Sequence, residues 1–89
     1  MIFPPQIRAA RALLGWNQVD LAEAAAVGVA TLRRLEATGT QLRGSVEVIW
    51  KIQQALEKAG VEFIPADDQK GLGVRLKERA RTKVKRGRK

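Results

Sequence analysis

The chain contains no cysteine, no histidine and no tyrosine, and only two tryptophans and two phenylalanines among its 89 residues. Without cysteine there is neither a disulfide framework nor a thiolate metal site, and a reducing compartment is the natural setting. Without histidine the commonest general base and the commonest transition-metal ligand are missing, so neither an enzyme nor a cofactor is expected. The one adjacent acidic pair, Asp67-Asp68, falls in a turn-rich stretch with no supporting ligand, which is thin material for a metal-dependent nuclease. An aromatic share of 4% argues against recognition of single strands or RNA by stacking platforms. No apolar run approaches the roughly 20 residues a membrane span requires, and Met1-Ile2-Phe3-Pro4-Pro5 lacks the basic and apolar regions of a secretory signal. A cytoplasmic protein with no membrane partner is expected.

Acid is scarce at one end only. From Lys70 to Lys89 ten basic residues face a single acid, Glu78, a net +9, whereas residues 1–69 hold seven bases and eight acids, a net −1. The basicity belongs to the C-terminus and suggests a polyanionic partner, nucleic acid before membrane, with a solvated tail as the plain alternative. One domain of this size buries roughly 60–65% of the surface its unfolded form exposes, so its core is thin and leaves no room for a small-molecule pocket.

Hydrophobic spacing predicts four helices. Proline suits a first helical turn, and Ile7, Ala10 and Leu14 recur at helical spacing up to Gly15, giving a helix over Pro5–Leu14. Asn17 is a good N-cap for a second helix with Leu21, Ala22 and Ala25 as its apolar stripe. Ala26-Val27-Gly28 then forms a tight turn into a third helix, Val29 to Ala37. Leu32 and Leu35 face inward with Val27, so geometry turns Val29, Ala30, Arg33 and Arg34 outward together. Two short helices with adjacent arginines on a face that packing does not need suit the reading of DNA; the alternative is a solvated helix face.

Thr38 to Gly44 reads as a loop, in which Arg43 serves either phosphate or minor-groove contact or simple solubility. Ser45 caps a fourth helix whose stripe is Val46, Ile49, Ile52 and Leu56, with Trp50 near its edge and Gly60 as its stop. Beyond it, Val61 to Ile64 and Gly73 to Leu76 are short β-prone runs separated by the turn formers of Pro65 to Leu72, and predict a β-hairpin. The remaining tail has too little apolar content to fold alone.

The block Gly15-Trp16-Asn17-Gln18, Asp20-Leu21-Ala22-Glu23 and Leu32-Arg33-Arg34-Leu35-Glu36 resembles the phage-repressor-like (Cro/CI, or XRE) helix-turn-helix transcriptional regulators, from about Ile7 through Leu56. The resemblance implies a mainly α fold: a four-helix lambda-repressor-like helix-turn-helix domain over residues 1–60, a β-hairpin over 61–77 and a basic tail over 78–89. Of these, the hairpin and the tail lie beyond the resemblance and are read from the β-prone runs and the charge. The resemblance further implies that Gln18 contacts a phosphate and that the third helix lies in the major groove of double-stranded DNA. Gly28, Val29, Ala30, Thr31, Arg33 and Arg34 then line the DNA side, and Arg11 and Glu36 form an ion pair tying the first helix to the end of the third. Two departures stand out: Ala26 occupies the usual turn glycine, and Gly28 the usual serine or threonine cap. Val29 and Ala30 offer bases only apolar contact, which leaves the arginines as candidate guanine readers, with phosphate contact as the alternative for Arg33.

In the tail, Lys85-Arg86-Gly87-Arg88-Lys89 is similar to an AT-hook without its flanking prolines. Arg86 and Arg88 are candidates for the minor groove, with nonspecific phosphate attraction and an inert solubilising tail left open. The hairpin must pack on the helices or add to a second copy; a homodimer is expected, with Trp50, Val61, Phe63, Val74 and Leu76 at its interface, because a small reader gains affinity by doubling its contacts across a palindrome. The expected function is an autorepressor or controller protein. The alternative is an antitoxin that binds DNA and a toxin partner.

Overall fold

The computed structural model describes residues 2–37 and 45–77. Among them lie α1 (Pro4–Leu14), α2 (Gln18–Ala25), α3 (Val29–Glu36), α4 (Val46–Lys58), β1 (Val61–Ile64) and β2 (Gly73–Leu76). The chain is thus small and mainly helical, with a C-terminal antiparallel hairpin. The expected loop with Arg43 and the tail with Arg86 and Arg88 lie outside the described residues.

Local chemistry sets the helix ends. Both Pro4 and Pro5 fit the first turn of α1, because neither needs an N–H there, so the helix starts one residue earlier than its spacing predicts. At its far end Gly15 adopts φ +71°, and the N–H groups of Gly15 and Trp16 donate to Ala12 O at 3.2 Å and Arg11 O at 2.9 Å. This Schellman closure satisfies two carbonyls that the ending helix leaves over. In α2 the Asn17 side chain accepts from Asp20 N at 2.8 Å while the Asp20 carboxylate accepts from Asn17 N at 3.0 Å, a reciprocal cap.

The turn between α2 and α3 repeats the Schellman closure without glycine. Ala26 sits at φ 59° and ψ 44°, with Val27 N donating to Ala22 O at 3.0 Å. A left-handed alanine costs about 1–2 kcal/mol, and glycine gives back about 0.4–1 kcal/mol through its freer unfolded chain, so Ala26→Gly should stabilise the fold by about 0.5–1 kcal/mol. Urea unfolding followed by circular dichroism checks this; a loss of stability would refute the reading of the turn as strained.

One core joins the four helices and β1, and β2 packs against it through Val74 and Leu76. Ile2 in front of α1, Ile7, Ala10 and Leu14 of α1, Leu21, Ala22 and Ala25 of α2, Leu32 and Leu35 of α3, Ile52 and Leu56 of α4, and Val61 of β1 form a single buried cluster. Small alanines on α2 let it pack closely on its neighbours. Val46, expected in the stripe of α4, is instead 82% exposed. The stripe is centred on Ile52 and Leu56 and takes in Val48, Ala55 and Ala59, which at 100° per residue turns Val46 about 120° away from it. Ala59 ends α4 in right-handed geometry, and Gly60, at φ +110°, makes the turn into β1.

The hairpin forms on the strands that the sequence marks. Its register pairs Val61 with Leu76, Glu62 with Arg75, Phe63 with Val74 and Ile64 with Gly73, so Val61, Phe63, Val74 and Leu76 share one face. That face packs on the chain's own core, with Val61 fully buried and the other three half-buried. Two strands are marginal in water unless something covers them, and here α1 and α4 supply the cover. Gln6 of α1 fastens the arrangement. Its side chain is buried, accepts from Phe3 N at 3.0 Å, and donates to Gly73 O at 3.0 Å and Ile64 O at 3.3 Å.

The opposite hairpin face holds Ile64 beside Gly73 and carries the Glu62–Arg75 pair at 2.9 Å. The Arg75 guanidinium, by hydrogen bond and by charge, holds the Glu62 carboxyl below its ordinary value. A depressed carboxyl stabilises the folded chain at neutral pH, and that contribution disappears as pH falls through the depressed value. Asp67 is likewise held low by the N–H groups of Gln69 and Lys70, which donate to its Oδ1 at 2.8 and 2.7 Å. The acidic pair is therefore half occupied in shaping its own turn.

Candidate nucleic-acid interface

α3 is divided lengthwise by burial. Leu32 and Leu35 are buried, whereas Ala30, Arg33 and Arg34 are exposed on the other side. The outward grouping expected from the sequence holds for these three and is corrected for Val29, which is half-buried against the core. As the first residue of the helix, Val29 sits where the turn from Val27 draws the chain inward, and Thr31 is half-buried too. Gly28 provides the N-cap with extended backbone and no side-chain bond, so the first amides of α3 have no side-chain acceptor from the cap.

A buried carboxylate ties α3 to α1. Glu36 is 4% exposed, and a buried charge is tolerated only when paired and hydrogen-bonded. Arg11 of α1 meets it side-on, Nε to Oε2 at 2.8 Å and Nη2 to Oε1 at 2.7 Å, the two-point fit of a planar guanidinium on a carboxylate. Arg11 also donates to Trp16 O at 3.3 Å. Arg8, one turn earlier on the same side of α1, donates to the main-chain carbonyl of Glu36 and so closes the C-terminus of α3. Two arginines of α1 thus grip one residue of α3, by side chain and by backbone.

Gln18, at the first position of α2, joins the same cluster. Its Nε2 donates to Glu36 Oε1 at 3.0 Å, and its Oε1 accepts from Arg33 Nε at 3.3 Å. The resemblance gave Gln18 to a phosphate, but its amide has two protein partners. Arg34 makes no hydrogen bond or ion pair among the described residues. The two arginines that look equivalent in sequence therefore differ: Arg33 is tethered and Arg34 is not.

Two residues were not singled out by the sequence. Arg8 precedes Arg11 by one helical turn, and that spacing is the signal that places both on one face. Gln6, three residues after the cap of α1, stands where a capping glutamine belongs. Nothing local in the sequence announces the link from Gln18 to Arg33. On α4, Val46 and the 59% exposed Trp50 lie one turn apart and form an apolar strip with no cover among the described residues. No group of three or more metal-ligating side chains occurs among the described residues, and no described helix is long and apolar enough to cross a membrane.

Comparison of the chain with protein-family models, curated proteins and solved structures finds no match. Its function is therefore read from the residues and the geometry above.

Proposed function

We propose that the chain is a sequence-specific transcriptional regulator that binds double-stranded DNA through a helix-turn-helix, with α2 and α3 as its two helices and α3 in the major groove. The observation that carries this reading is the lengthwise division of α3. A helix of eight residues, buried through Leu32 and Leu35, carries two arginines and an alanine on its exposed side, one arginine with no partner among the described residues. Arginine's fork matches the acceptors of guanine in the major groove, and the methyl group of Ala30 matches that of thymine. The first amides of α3, which receive no side-chain bond from the Gly28 cap, suit a phosphate oxygen, and a net charge of +8 favours encounter with a polyanion.

The same reading makes the protein a homodimer on an inverted repeat, since one short helix contacts too few base pairs for tight recognition. With the hairpin face taken up by the core, the dimer contact falls to the apolar strip of Val46 and Trp50. Selection of bound duplexes from a random pool by the purified chain should enrich a two-fold symmetric site. Sedimentation should show a dimer on that site, reduced to monomer by Trp50→Glu. Indifference to every duplex would remove the DNA-binding reading, and a stable monomer both free and on DNA would remove the dimer.

A further inference from the structure

We propose that Gln18 is a positioning residue that holds Arg33 for the DNA backbone, leaving Arg34 as the base reader. This assigns roles within the DNA-binding reading and rests on it. The chain of control begins in the interior. The Glu36 carboxylate only accepts, so Gln18 must turn its NH2 group toward it, and its carbonyl oxygen then points the other way, where it receives Arg33 Nε at 3.3 Å. Of the two orientations open to the amide, the buried acid selects one. The selection reaches the surface as a fixed direction for Arg33.

Binding through Nε leaves both terminal nitrogens of Arg33 without a partner among the described residues, a bidentate donor braced from behind. It also draws the guanidinium toward the N-terminus of α2. In a helix-turn-helix that first helix crosses the sugar-phosphate backbone while the second enters the groove. Arg33 is thus pulled to where phosphates run. Arg34, untethered, keeps its full reach into the groove.

A double-mutant cycle separates this role from a direct phosphate contact by Gln18. With the selected duplex, Arg33→Ala should bind about tenfold more weakly, with a logarithmic salt slope shallower by about 0.9. Gln18→Ala alone should cost about threefold, and the double variant should bind within about 1.5-fold of Arg33→Ala, because the two residues act as one. Base preference should persist in all three. Losses that multiply to about thirtyfold in the double variant would overturn the proposal and make Gln18 an independent contact.

A second readout needs no DNA. In nuclear magnetic resonance spectra of the free protein, the Nε–H proton of Arg33 should exchange with water more slowly than that of Arg34, and Gln18→Ala should make the two alike. Equal exchange in the wild type would overturn the tether. A slow Arg33 proton in a chain that binds no duplex would instead locate the failure in the DNA-binding reading, and the proposed division of labour would fall with it.

Discussion

Glu36→Ala should lower the stability of the folded chain by about 3 kcal/mol or more. The carboxylate is buried and fixed by two bonds from Arg11 and one from Gln18. Its removal leaves the Arg11 guanidinium, whose side chain is only 19% exposed, with the Trp16 carbonyl as its one remaining described acceptor. An unpaired charge in such a place is far costlier than the pair is beneficial, because the pair itself barely repays its desolvation. Pairing Arg11→Met with Glu36→Leu should therefore recover most of the loss, as apolar replacement of both partners does at buried ion pairs. Urea unfolding monitored by circular dichroism gives both numbers. A loss under about 1 kcal/mol for Glu36→Ala would show the pair to be effectively solvated, as exposed ion pairs are.

Arg34→Ala should leave the fold intact and erase preference at one base pair of each half-site. The side chain is exposed and makes no bond among the described residues, so its truncation removes nothing that α3 needs. A bidentate arginine contact is worth about 1–3 kcal/mol of discrimination, roughly 5- to 150-fold between the preferred base pair and its replacements. Repeating the duplex selection with the variant measures this directly. Uniformly weaker binding with the sequence profile unchanged would assign Arg34 to phosphate instead.

Much of the architecture was legible because it is local. The hairpin strands fall on the residues that alternation and turn formers mark, Val61–Ile64 and Gly73–Leu76. The helices begin and end within one residue of their caps: Pro4 instead of Pro5 for α1, and Glu36 instead of Ala37 for α3. These signals are carried by neighbours in the chain. What was not legible depends on which elements meet. Alternation shows that the hairpin has an apolar face, but only the placement of α1 and α4 shows that the chain covers that face itself. The register of α4 likewise follows from its packing partners, and Val46 passed for core because its spacing from Ile49 is helical. At the candidate site the Arg11–Glu36 contact followed from the resemblance and is formed at 2.7 Å. The Gln18–Arg33 bond joins residues 15 apart, a separation to which no period attaches.

The lengthwise division of α3 also bears on how such a molecule diversifies. Ala30 and Arg34 brace nothing, while the residues that fasten the helix, Leu32, Leu35 and Glu36, all point the other way. Substitutions on the free side escape the stability threshold that purges most changes in a small domain. On the DNA-binding reading, exchanging a few outward side chains would retarget the scaffold while leaving its folded body unaltered.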